Sequence, residues 1–278
     1  MNKSLLSSAV CAVALLAAPQ VFALNIVLTN DDGWDAPGIQ MMKHALVADG
    51  HTIVLSGSLT QQSGSSAAIN TDMLNVVKQR EFSDEGALEY SVGILGTEEG
   101  AEPASAASVG IGIARQVFQG SPDLVVSGIN AGQNLGGFTQ ISGTVGAATV
   151  TLSKSIGGGT LPAIAISTDE LCDPDEEEGC DEINGPIYSA AADFVADLIL
   201  QLAARGGELM PEGLGLNINY PPLAPVEGAV VARQGQTGKF PGVPGSVSLT
   251  YGCYGDCVTV PPGIGIPAGI TGISPVEE

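Results

Sequence analysis

The chain has little of what most enzymes use for chemistry near neutral pH. It carries two histidines, His44 and His51, neither near a cysteine nor placed for a Ser-His-Asp arrangement, which disfavours histidine-based nucleophilic catalysis and Cys/His zinc sites. Positive charge is scarce as well: nine Lys and Arg stand against 30 Asp and Glu, a net charge of −21. Such a field excludes nucleic acid and anionic membrane as binding surfaces. It also repels phosphorylated molecules unless a metal or helix N-termini offset it locally. Aromatic residues are few, at 4%. The apolar run Ala9 to Ala18 is too short to span a bilayer, and polar Asn25 follows soon after, so no membrane anchor is expected.

That run has another reading. Lys3 gives a positive start, Ala9 to Ala18 an apolar centre, and Val21-Phe22-Ala23 a small residue where signal peptidase cuts, so residues 1–23 read as an export signal. The protein is then periplasmic or secreted, with residues 24–278 as one domain. Removal of the signal takes Cys11 away and leaves two short-range pairs, Cys172 with Cys180 and Cys253 with Cys257. Two local disulfides are the simplest reading in an oxidising compartment, although sequence alone permits other pairings.

What is present in quantity is alternation. Apolar strand-like runs at 26–28, 53–55, 124–126, 163–166 and 214–218 are separated by helix-compatible stretches at 37–49, 103–119, 143–155 and 186–205. Strands alternating with helices imply a mostly parallel sheet with right-handed crossovers, a Rossmann-like three-layer α/β/α architecture. From about 221 to 278 the chain is rich in Gly, Pro and Val and reads as an irregular β-rich arm. Residues 169–182 hold nine carboxylates in 14 residues. Their spacing does not match an EF-hand, and a solvated acidic loop closed by a disulfide is the expectation over a calcium site serving adhesion or assembly.

Polar clusters follow three of the strands. Asn30-Asp31-Asp32-Gly33 ends the first apolar run, and two adjacent carboxylates repel each other unless a cation or proton lies between them. Asp-Gly is also a hairpin signal, but Met41, Met42, Ala45, Leu46 and Val47 then recur at helical spacing, with no partner strand. Gln62-Ser63-Gly64-Ser65-Ser66 follows the second run and could be an ordinary flexible loop. Ser127 to Gly136 follows the third and offers the amides of Asn130 and Asn134; its alternative is a glycine-rich turn. Ser142-Gly143-Thr144 then opens a helical stretch, as an anion site or an ordinary N-cap.

Taken in order, Thr-Asn-Asp-Asp-Gly, Ser-Gly-Ser-Ser, Val-Val-Ser-Gly-Ile-Asn-Ala-Gly-Gln-Asn-Leu-Gly and Ser-Gly-Thr-Val-Gly-Ala-Ala resemble the SurE family of metal-dependent nucleotidases, also called survival proteins. The resemblance runs from about residue 24 to 168 and resumes at Leu216-Asn217-Ile218-Asn219-Tyr220-Pro221. It implies a phosphomonoesterase acting on nucleoside 5′- or 3′-monophosphates, dependent on one divalent ion, Mg²⁺ or Mn²⁺ with Ca²⁺ as the alternative, and assembled as a homodimer or tetramer. By motif position, Asp31, Asp32, Ser63 and Asn130 would be metal ligands, with Asp31 and Asp32 also catalytic. Asn30, Asn134, Ser142, Gly143 and Thr144 would line the substrate phosphate. The chain departs from the family over Val54 to Gln62, where an arginine is usual, and in an acidic insertion over Glu98 to Glu102. Those departures leave a second reading open, an exported metal- and phosphate-binding protein without turnover.

Overall fold

The computed structural model describes residues 23–82, 86–153, 160–174, 177–222, 229 and 231 of the 278-residue chain. The strands are β1 (Asn25–Thr29), β2 (Thr52–Ser58), β3 (Leu74–Arg80), β4 (Ala87–Ile94), β5 (Leu124–Ala131), β6 (Ala163–Thr168) and β7 (Gly215–Tyr220). The helices are α1 (Pro37–Ala48), α2 (Pro103–Val117), α3 (Phe138–Ile141), α4 (Gly143–Thr151) and α5 (Cys180–Ala204). The strands form one sheet in the order β3-β4-β2-β1-β5-β6-β7, parallel throughout except for the antiparallel β3–β4 pair. This is the Rossmann-like α/β architecture read from the alternation of elements. Most of the predicted arm, the Cys253–Cys257 pair and the signal up to Phe22 lie outside the described residues.

Period-two alternation on β1 divides the core. Ile26 and Leu28 pack with Ile39, Met42 and Leu46 of α1 and with Ala191, Val195 and Ile199 of α5. Val27 turns to the opposite face, with Ile111 and Ala114 of α2 and Ala148 of α4. A central parallel sheet is covered on both faces in this way, so its strands read as continuous apolar runs. Full burial of each Leu or Ile side chain stabilises the fold by roughly 1.5–3 kcal/mol.

The helices follow local chemistry. Pro37 and Pro103 open α1 and α2, where a missing N–H costs nothing because the first turn has no intrahelical acceptor for it. Small residues let α2 press on the sheet: a Cβ at Gly110 would sit 2.7 Å from the Ser56 Cβ. The helix α5 differs from its sequence reading. It begins at Cys180 rather than near 186 and runs through Pro186, with Asp181 and Glu182 in its first turn, where carboxylates favour the positive end of the helix. Residues 180–182 of the acidic segment are therefore helical. Cys172 is joined by a disulfide to Cys180, as the pairing of cysteines suggested. Although α5 has the length and apolarity of a membrane span, Ala191, Val195, Leu198, Ile199 and Leu202 commit it to the core.

The sequence reading omits β3 and β4. The first is an edge strand whose residues are mostly exposed. The second interrupts its apolar run with Glu89, which is nevertheless fully buried.

Candidate functional site

After β1 the chain adds strands on one side of the sheet, and from β5 onward on the other. The two strands are paired, Ile26 with Leu124 through Thr29 with Ser127, so the order of strands reverses between their carboxyl ends. That is where an open α/β sheet builds its ligand site. Asp31 and Asp32 leave the end of β1, and Asn130 closes β5 beside them.

Asp31 is buried, 2% exposed. The hydroxyl of Thr144, itself fully buried, donates to Asp31 Oδ1 at 2.6 Å, and the backbone N–H groups of Gly143 and Thr144 also bond this carboxylate. The start of α4 is thus turned onto Asp31, with Ser142 Oγ accepting from the Val145 N–H at 3.1 Å as an N-cap. Gly143 is required for the approach: a Cβ there would lie 2.9 Å from both Cβ and Oδ2 of Asp31. Burial raises the Asp31 pKa, and the Thr144 hydroxyl and the backbone donors oppose that rise without cancelling it.

Asp32 spends one oxygen on the scaffold, Oδ2 accepting from the Ala131 N–H at 2.9 Å. The other, Oδ1, is enclosed with no partner among the described residues. Burial first, and then the charge of Asp31, push the Asp32 pKa up to about 7; Glu170 adds to the push and the Ala131 N–H opposes it. Glu170 belongs to a pair that sequence reading missed. The Tyr188 hydroxyl donates to Glu170 Oε1 at 2.7 Å, and burial together with that bond raises the phenol pKa. The signal was faint, because Glu170 sits inside the acidic run and Tyr188 inside an apolar helix face.

Neutral polar groups come from the ends of β1, β2 and β5, from the start of α4 and from β7. Asn130 Nδ2 donates to the carbonyls of Ala131 and Gly132, at 3.2 and 2.6 Å, which fixes the plane of the amide whose oxygen is the remaining donor to a cation. Asn134 bonds Thr144 Oγ1 through Nδ2 at 3.3 Å, and its N–H donates to Asn219 Oδ1 at 2.7 Å. Its carbonyl accepts from Asn217 Nδ2 at 3.0 Å and Asn219 Nδ2 at 3.3 Å. Asn217 and Asn219 are two apart on β7 and so share a face, a spacing that was visible in the sequence. Asn30 is fully buried, with both ends of its amide unpartnered among the described residues. Ser63 is exposed in the turn after β2, where the next-door Gln62 N–H donates to the Asp31 carbonyl at 2.7 Å. The far end of that loop is held by the Ser66 N–H on the Ile141 carbonyl at 3.0 Å.

The arrangement fits a hard cation on donor chemistry. Among the described residues no group of three or more His, Cys, Asp or Glu could hold a metal, so neutral oxygens must complete any shell around the two aspartates. An enclosed carboxylate oxygen without a partner is costly to leave ionised, and a cation removes that cost. Asp31, Asp32, Asn130 and Ser63 all carry side-chain oxygens, the donor type that hard cations take.

Fold and site together define a doubly wound α/β protein with an acidic pair at its switch point. Comparison with known proteins is specific about which. The profile described as Survival protein SurE matches residues 26–239, and the chain belongs to that family. It is 35% identical over 214 residues to 5′-nucleotidase SurE of Symbiobacterium thermophilum, covering 76% of this chain and 72% of that one. With 5′-nucleotidase SurE of Nitratidesulfovibrio vulgaris strain DP4 it shares 33% identity over 213 residues, again 76% and 72% of the two chains. Among solved structures, the SurE protein from Aquifex aeolicus matches with a TM-score of 0.55 and 28% identity, covering 75% of this chain and 71% of that chain.

Proposed function

We propose that the protein is an exported phosphomonoesterase that hydrolyses nucleoside 5′- or 3′-monophosphates with the aid of one divalent cation, Mg²⁺ or Mn²⁺. The observation that carries this reading is the enclosed, unpartnered Oδ1 of Asp32 beside buried Asp31 at the switch point. Family membership and relatives named 5′-nucleotidase support the reaction.

Asp31, Asp32, Asn130 and Ser63 would hold the cation. When bound, it supplies Lewis acidity toward a phosphate oxygen and positive charge against the net −21 of the chain. The residues divide the remaining work. Thr144 and Gly143 hold Asp31 in one orientation through Oδ1 and the α4 backbone, so no reorganisation is needed as substrate arrives. Asp31 or Asp32 would take the proton from the attacking water. Asn30 and Asn134, with Ser142, Gly143 and Thr144, wall the phosphate pocket, where amide N–H groups bond phosphate oxygens without adding charge.

Export is read from the sequence of residues 1–23, with its positive start at Lys3, apolar centre over Ala9 to Ala18 and small residue at Ala23. A Cys172–Cys180 disulfide suits the same compartment.

Replacing Asp31 by Asn keeps the shape and removes the charge. The expected result with excess Mn²⁺ is loss of phosphate release from a panel of nucleoside monophosphates by at least about 100-fold, the scale of an essential electrostatic group, with an unchanged circular dichroism spectrum. Retained turnover refutes the assignment. Cation and phosphate binding by the wild type without release identifies the non-catalytic binding protein instead.

A further inference from the structure

A chain of buried polar groups behind the site has no role in the reaction described above. Glu89 on β4 is fully buried, and Lys43 on α1 is 1% exposed. Lys43 Nζ lies 2.8 Å from Glu89 Oε1, and Arg80 Nε reaches the same oxygen at 3.2 Å from the edge strand β3. Lys43 Nζ also donates to Gln40 Oε1 at 2.8 Å. The amide nitrogen at the other end of Gln40 donates to Glu89 Oε2 at 3.3 Å and to the Trp34 carbonyl at 2.9 Å.

Trp34 is the second residue after Asp32. Its N–H donates to the Ser58 carbonyl at 2.9 Å, and its Cα lies so close to β2 that a Cβ at Gly57 would stand 2.6 Å from it. One end of the Asp31–Trp34 turn is therefore fixed by α4 through Asp31, and the other by β2 and Gln40 through Trp34. Gln40 can serve only in one orientation, because the lysine ammonium requires its oxygen and thereby turns its nitrogen to the carbonyl. A buried ion pair is a costly way to hold a helix to a sheet, and an apolar pair of the same size would do so at least as well. What an apolar pair cannot do is set which end of Gln40 faces Trp34.

The structure assigns Gln40, Lys43 and Glu89 as positioning residues that lock the Asp31–Trp34 turn in the geometry needed to bind the cation. This assignment rests on the reading of Asp31 and Asp32 as cation ligands. It explains why charge is buried in a chain otherwise so short of lysine and arginine.

Trp34 is the only tryptophan in the chain, so its fluorescence reports on this turn directly. The full chain, stripped of metal, is titrated with Mn²⁺ while Trp34 emission is followed, for the wild type, Gln40→Met, Gln40→Asn and Leu202→Ala. Methionine keeps the bulk of Gln40 without its hydrogen bonds; asparagine keeps the amide but falls short of its partners. Leu202, buried in α5, controls for general loss of stability. Both Gln40 variants are expected to bind Mn²⁺ about tenfold more weakly and to show red-shifted Trp34 emission before metal is added, whereas Leu202→Ala melts lower with an unchanged Kd. If either folded Gln40 variant has the wild-type Kd and spectrum, or if Leu202→Ala weakens binding equally, the assignment is overturned. A wild type that binds no Mn²⁺ overturns the cation reading itself, and this assignment with it; binding by the wild type with no change in the variants overturns only the assignment.

Discussion

At the scale of single residues, the site is a problem in keeping two adjacent carboxylates. Asp31 is surrounded by donors from α4, whereas Asp32 has one backbone donor on Oδ2 and, among the described residues, no partner for Oδ1. The difference sets a pH dependence. Burial and then the Asp31 charge take Asp32 from an ordinary 3.8 to about 7 in the folded state. Between those values the folded protein binds more protons than the unfolded chain, so Asp32 makes stability fall as pH rises through that window. Metal-free wild type is expected to melt lower at pH 8 than at pH 5 by a margin that shrinks in Asp32→Asn, and Mn²⁺ should restore the loss at pH 8. Equal pH dependence in wild type and variant, read from thermal unfolding, would show that Asp32 is not the group responsible. The carboxylate pair itself was legible in the sequence as a charge conflict that something must resolve. The unpaired Asp32 oxygen was not, because which oxygen finds a donor depends on how β5 sits beside β1.

At the scale of elements, the apolar runs of β1, β2, β5 and β6 were legible because both faces of these strands are covered. The motifs at their carboxyl ends could therefore be placed on loops at one end of the sheet. The β3–β4 pair was hidden for the opposite reason. Its edge strand is solvated, and Glu89 breaks the run in its inner strand, buried only because Lys43 comes from a helix 46 residues earlier. Lys43 likewise looks like a polar intrusion on an apolar helix face until that partner is seen. Lys43→Met leaves Glu89 buried with only Arg80 and Gln40 for support. It should lower stability by about 3 kcal/mol, the lower end for a broken buried pair, since Arg80 remains at 3.2 Å. Urea denaturation measures this; a cost below about 1 kcal/mol, the scale of an exposed pair, would mean that the pair is not what holds Glu89.

At the scale of the whole molecule, the acidic charge and the site depend on each other. A net charge of −21 is a poor host for a phosphate monoester, and the site gathers two aspartates with the charge of Glu170 acting on Asp32. Only a cation makes that arrangement attractive to substrate, which links the composition to the cofactor. The signal reading of residues 1–23 makes its own prediction, that sequencing the exported protein gives Leu24 as its first residue. An intact residue 1–23 segment on the exported protein would contradict the signal reading. The most direct test of the account is phosphate release from a nucleoside 5′-monophosphate by metal-stripped protein as Mn²⁺ is added back. Turnover should be absent at the start, rise to saturation with one bound ion per chain, and fail to appear in Asp31→Asn; turnover that persists in excess chelator, or never appears at any Mn²⁺ concentration, would contradict it.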